Sequence, residues 1–139
     1  MLSAFAVSTC ASNVASKPIH IGAHFVQNAA LAALEQGESS VITMRDAYRD
    51  RRKRLLDGLR SIGFEIAHDP GGAFYVLADA RRFGQDSVSL AFDILERAHV
   101  ATGPGLDFGE IAEGFLRFSF ASSANNIDEA IRRIGSALR

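Results

Sequence analysis

The sequence has one cysteine, Cys10, no tryptophan, and no excess of either charge, with Lys+Arg 15 against Asp+Glu 16. A lone cysteine cannot close an internal disulfide, which favours a reducing compartment. A formal net charge of -1 offers no field that would draw nucleic acid or an anionic membrane. No stretch approaches the ~20 apolar residues needed to span a bilayer. The opening run Met1–Val7 is mildly apolar but short, and it lacks the basic flank of a secretory signal. Internal repeats and low-complexity tracts are missing as well. These absences together predict a cytoplasmic protein without nucleic-acid or membrane partners.

What is present reads as one globular domain. At 139 residues, 47% hydrophobic and 22% charged, the chain can bury roughly two-thirds of its unfolded surface. Residues 1–24 carry no periodicity and read as an irregular lead-in. Helical spacing begins near Phe25, with Val26, Ala29, Ala30, Ala33 and Leu34 on a small, Ala-rich face fit for close packing, and stops at Gly37. A longer helix is expected from Ser39 to Ser61, with Val41, Met44, Tyr48, Leu55, Leu59 and Ile62 as its stripe. Its other face bears Arg45, Arg49, Arg51, Arg52, Lys53 and Arg54. Because Asp46, Asp50 and Asp57 interleave with them, that face reads as solvated and ion-paired rather than as an anion-binding surface.

Gly63 should end this helix, and Phe64–His68 alternates as a short strand. Asp69-Pro70-Gly71-Gly72 signals a tight turn, with the glycines as a hinge into a buried strand over Ala73–Ala78, so an antiparallel hairpin is expected. A helix follows from about Ser87 to His99. Val100–Thr102 reads as a brief extended piece, Gly103–Gly109 as a turn, and Phe115–Ala121 as a further strand. The last helix is expected to be capped by Asn126, with Glu129 completing a capping box. The predicted fold class is α+β, a two-layer sandwich of a small, mostly antiparallel sheet with helices packed on one face.

Arg117 is the sharpest candidate for chemistry. Alternation sets Phe115, Arg117 and Ser119 on one face of their strand and Leu116, Phe118 and Phe120 on the other. A guanidinium among apolar residues captures an anion, pairs with a structural carboxylate, or snorkels to water. The Gly103–Gly109 loop is neither a Walker A loop nor a dinucleotide fingerprint, and reads as a shaped turn. No metal site emerges: His20, His24, His68 and His99 share no ligand spacing with carboxylates. Cys10 has no evident base, and Lys17, followed by Pro18 in polar surroundings, reads as a surface lysine.

Four segments in fixed order carry a resemblance. Gly72-Ala73-Phe74-Tyr75, Ser87 ahead of a helix, Val100–Gly109, and Phe115–Ala121 resemble the C-terminal small domain of class I/II pyridoxal-phosphate-dependent aminotransferases, in the aspartate-aminotransferase-like group. Gln27–Ala30, Ala32–Leu34, Tyr48, Arg51-Arg52 and Leu55 resemble that family's helical link between domains. The resemblance covers residues 25–138. It implies that residues 25–139 form the small domain and that residues 1–24 are the remnant of a link from a large domain.

The resemblance further implies that Arg117 binds the substrate α-carboxylate and that Pro104 and Phe108 stand at the active-site mouth. Phe74 and Tyr75 are expected to support the core. The family's cofactor, pyridoxal 5'-phosphate, is held by a Schiff-base lysine and other large-domain residues, and Ser16-Lys17-Pro18 is a poor imitation of that motif. The expectation is a fragment that binds no cofactor and is inactive alone. Its parent would exchange an amino group between an amino acid and a 2-oxo acid as a homodimer. A free-standing binding or dimerisation module derived from the same domain is the alternative.

Overall fold

The computed structural model describes residues 23–139. The readings placed on the lead-in through Gly22, on Cys10, Lys17 and His20, and on the Met1–Val7 run lie outside the described residues. The chain divides into two compact units, Met1–Val41 and Ile42–Arg139.

In the first unit, α1 runs from His24 to Gln36, and the backbone N–H of Gly37 donates to Ala33 at 3.1 Å. The helix stops at Gly37 as its spacing predicts. Its Ala-rich face is not packed: none of its residues is buried, and Phe25 and Leu34 are 75% and 86% exposed. The second helix, α2, spans Glu38–Ile62.

In the second unit, the α2 stripe is buried later than its pattern suggests. Leu55, Leu56 and Leu59 are core residues, whereas Met44 remains 53% exposed. The core begins at Tyr48, whose ring meets Phe120 edge-on at 6.1 Å. The basic face of α2 is ion-paired in part: Arg49 meets Asp46 at 3.0 Å and Arg54 meets Asp128 at 2.7 Å, and near the helix end Arg60 meets Asp69.

Three strands form an antiparallel sheet in the order β1-β3-β2: β1 is Tyr75–Asp79, β2 is Gly103–Pro104 and β3 is Phe115–Ser119. Leu77 pairs with Arg117, Gly103 with Arg117, and Pro104 with Leu116. Val76 and Ala78 of β1 and Leu116 and Phe118 of β3 are buried, so the period-two pattern of β3 sorts its side chains as expected.

Several local expectations are corrected. The Phe64–His68 strand reduces to one antiparallel bridge, Glu65 to Asp79. Phe64 leaves the pleated surface to pack edge-on against Phe118 at 5.2 Å. No tight hairpin forms at Asp69–Gly72; Pro70 instead accepts a hydrogen bond from Arg52, which ties that segment to α2. The left-handed residue is Ala73, at φ 61°, rather than either glycine, and β1 starts only at Tyr75. The strand is buried on one face alone, for Leu77 is 37% exposed.

Helix α3, Ser87–Ala98, is capped by Asp86, whose side chain accepts from the N–H groups of Val88 and Ser89. Helix α4 spans Ala124–Ala137 and is capped by Ser123, not Asn126. The Ser123 hydroxyl accepts from the Asn126 N–H at 3.2 Å, so the helix starts earlier than the Asn126 cap implies. Glu129 takes no part in a capping box; Arg132 and Arg133 hold its carboxylate.

Helices α2 and α4 approach closely at two glycines. A β-carbon on Gly58 would lie 2.8 Å from Ile131, and one on Gly135 would lie 2.8 Å from Ile62. Residues of α2, α3, α4 and the inner faces of β1 and β3 form one buried cluster.

Candidate functional site

Arg117 lies at the centre of β3, on the face opposite the core, and is half-buried. Its guanidinium carbon is 5.6 Å from the centre of the Tyr75 ring and 5.1 Å from that of Phe108. Across the ladder stands Gly103, where a β-carbon would come within 3.2 Å of Arg117 Nε. Glycine there leaves the room that the arginine stem occupies. Among the described residues, Arg117 has no ion-pair or hydrogen-bond partner on its side chain.

The neighbouring arginine behaves differently. Arg81 grips Asp79 through its Nε and Nη2, and its own backbone N–H donates to the same carboxylate. Those hydrogen bonds hold the Asp79 carboxyl below its ordinary value despite partial desolvation. Arg81 is therefore occupied, whereas the Arg117 guanidinium is lined by two rings and a glycine. Of the fates open to a guanidinium on this strand, pairing with a structural carboxylate is not the one observed among the described residues.

The turn that carries Phe108 is held from below. Pro104 leads into a 3-10 turn, Gly105–Phe108, followed by a second, Glu110–Ala112. Ser87, fully buried at the start of α3, donates from its N–H to Glu113 at 2.7 Å and from its hydroxyl at 2.9 Å. The same hydroxyl accepts from the Leu106 N–H at 3.3 Å. One serine thus joins the helix start, the turn and the approach to β3. Gly105 fits beneath them because a β-carbon would strike the carbonyl oxygens of Ala112 and Phe115.

The structure separates two residues that the sequence placed together. Phe108 reaches Arg117, but Pro104 pairs with Leu116 and lines a groove of about 380 Å³ against α3, with Val88, Phe92 and Leu95. Thr102 borders that groove, its hydroxyl buried and without a partner among the described residues. The presumed loop Gly103–Gly109 is thus part strand, and Val100–Thr102 is unpaired.

His68 and His99 are exposed, and no group of metal-ligating side chains is found among the described residues. The contribution of Tyr75 to the arginine's surroundings was not legible as such. The signal available was that an antiparallel register brings Tyr75 to the face that carries Arg117.

The family model for class I and II aminotransferases matches residues 4–134. An aspartate/prephenate aminotransferase of Nitrosomonas europaea is 36% identical over 144 aligned residues, covering 96% of this chain and 36% of that protein. A valine–pyruvate aminotransferase of Mycobacterium tuberculosis is 45% identical over 93 residues, 66% of this chain and 24% of that one. The aspartate aminotransferase of Thermus thermophilus, solved with maleate, superposes with a TM-score of 0.73 at 38% identity over 96% of this chain and 34% of its own. The chain spans between 24% and 36% of the length of the curated relatives it matches.

Proposed function

The chain belongs to the class I and II aminotransferases, a family that depends on pyridoxal phosphate, and we propose that it is the substrate-recognition domain of such an enzyme. The parent protein would exchange an amino group between an amino acid and a 2-oxo acid, in the cytoplasm and as a homodimer. Residues 25–139 would be the small domain and residues 1–24 the end of a link from a large domain. Helices on one face of the sheet, in a two-layer sandwich, belong to the same reading; it is supported by the single buried cluster that α2, α3 and α4 share with β1 and β3.

One observation carries the proposal: Arg117, half-buried on β3, has no ion-pair or hydrogen-bond partner for its guanidinium among the described residues. A planar fork with its N–H groups uncommitted suits bidentate capture of a carboxylate, which both substrates carry. In this role Arg117 binds and orients the α-carboxylate, and Phe108 excludes water on the side of the turn. The dicarboxylate maleate in the Thermus relative is consistent with a carboxylate ligand for the parent enzyme.

The described residues do not fit the cofactor. Their one lysine, Lys53, is exposed on α2 and lines a groove with Asp50 and Asp57, unlike the desolvated amine that Schiff-base chemistry requires. Cofactor binding is assigned to residues beyond this set, and the chain alone is expected to be inactive. The first test is to add pyridoxal phosphate to the chain and reduce with borohydride. The proposal expects no trapped adduct; a stable absorbance band trapped only when Lys17 is present would overturn the assignment. The second is Arg117→Ala in the complete enzyme. It should lower kcat/KM roughly a thousandfold, about 4 kcal/mol of lost transition-state stabilisation, at nearly unchanged folding stability. A stability loss as large as the kinetic one would make Arg117 a structural residue.

A further inference from the structure

The two rings at Arg117 come from distant parts of the chain. Leu77 pairs with Arg117, so Tyr75, two positions earlier on β1, lies diagonally from it on the same face. Phe108 ends the 3-10 turn that follows β2. The guanidinium carbon stands over both rings, at 5.6 and 5.1 Å, while Gly103 leaves the arginine stem its space. Neither contact uses a hydrogen bond, and the Tyr75 hydroxyl has no partner among the described residues. The face of the tyrosine, not its polar tip, is what meets the arginine.

An arginine side chain is long, and its freedom opposes binding whenever it must be fixed by the ligand. Ring contacts are attractive to the cation without consuming its N–H donors. A guanidinium held by rings rather than by a carboxylate is therefore restrained and still uncommitted.

We infer that Tyr75 is a positioning residue. With Phe108 it brackets Arg117 and pre-orders the guanidinium for a carboxylate ligand. The inference rests on the reading of Arg117 as the carboxylate-binding residue, and it replaces the core-supporting role expected of Tyr75, which lies on the face of β1 opposite the buried Val76 and Ala78.

The test uses the 139-residue chain with 15N-labelled arginine, the Arg117 Nε–H resonance being identified by its loss in Arg117→Lys. The bracket places that proton beside aromatic rings, so its resonance should be shifted by their ring currents. Tyr75→Phe should keep the shift, and Tyr75→Leu should move it toward the value of an unstacked arginine. Titration with maleate should then show binding about threefold weaker in Tyr75→Leu than in the parent chain, and unchanged in Tyr75→Phe. Phe108→Leu, at an exposed turn, should act in the same direction and serves if Tyr75→Leu fails to fold. The inference is overturned if the leucine variants leave both the resonance and the maleate affinity where they were. If Arg117→Lys leaves maleate binding intact, the carboxylate reading of Arg117 fails instead, and the resonance alone decides whether the bracket exists.

Discussion

Gly103 and Arg117 face each other across the β2–β3 ladder, and a β-carbon at position 103 would stand 3.2 Å from Nε and 3.4 Å from Cβ of that arginine. Any larger residue here would crowd the neighbour's side chain and make it shift. The glycine ties the placement of the Arg117 stem to one of the two residues of β2.

Replacing that glycine tests the dependence. Gly103→Val should displace the Arg117 stem and weaken maleate binding by about tenfold, comparable to the loss of one good charge-assisted hydrogen bond. The Arg117 Nε–H resonance, followed by NMR, should move with it. Unchanged affinity and resonance would show that the arginine does not need the space.

Ser87→Ala should loosen the turn that carries Phe108. The substitution removes the hydroxyl that donates to Glu113 and accepts from Leu106. A cost of about 1–3 kcal/mol in denaturant unfolding is expected, with faster hydrogen exchange at the Leu106 amide. A neutral result would mean that water or the turn itself replaces the serine.

At the α2–α4 contact two effects oppose each other. Gly58→Val gains a few tenths of a kcal/mol of helix propensity at most, but it forces a branched side chain where even a β-carbon would lie 2.8 Å from Ile131. Overpacking should win, at about 1–3 kcal/mol, read as a lowered midpoint in thermal or urea unfolding. A variant as stable as the parent would show that α4 yields freely.

Acid sensitivity should centre on α4. The guanidinium groups of Arg132 and Arg133 hydrogen-bond the Glu129 carboxylate and hold its pKa, ordinarily 4.5, at about 2. Because the folded value is the lower one, the stabilisation is present above about 4.5 and is lost as pH falls toward 2. Asp79, lowered by its hydrogen bonds to Arg81, acts in the same sense below its ordinary 3.8. Glu129→Gln should narrow the difference in melting temperature between neutral pH and about pH 2. The effect should be small, since these pairs are exposed and screened. A variant with the parent's full pH dependence would assign the acid response elsewhere.

Much of the fold was legible where side-chain spacing reports burial directly. The alternation Phe115 to Phe120 sorted β3 into an inner face of Leu116, Phe118 and Phe120 and an outer face with Arg117, as observed. The helices α1, α2 and α3 also lie within a residue or two of their expected bounds, because their apolar stripes and caps are local signals. Ser123 and Asn126 show the limit of such signals: both can cap, and only the backbone path chose between them.

The sequence by itself determined that a lone guanidinium would sit on the outer face of a strand, since a period of two admits no other placement beside a buried Leu116 and Phe118. Only the tertiary structure decided what surrounds it. Gly103, Phe108 and Tyr75 reach Arg117 through strand pairing and a turn locked by Ser87 to Glu113, and those contacts join residues far apart in the chain. Spacing carries no record of such register, because it is set by the packing of whole elements rather than by the residues between them.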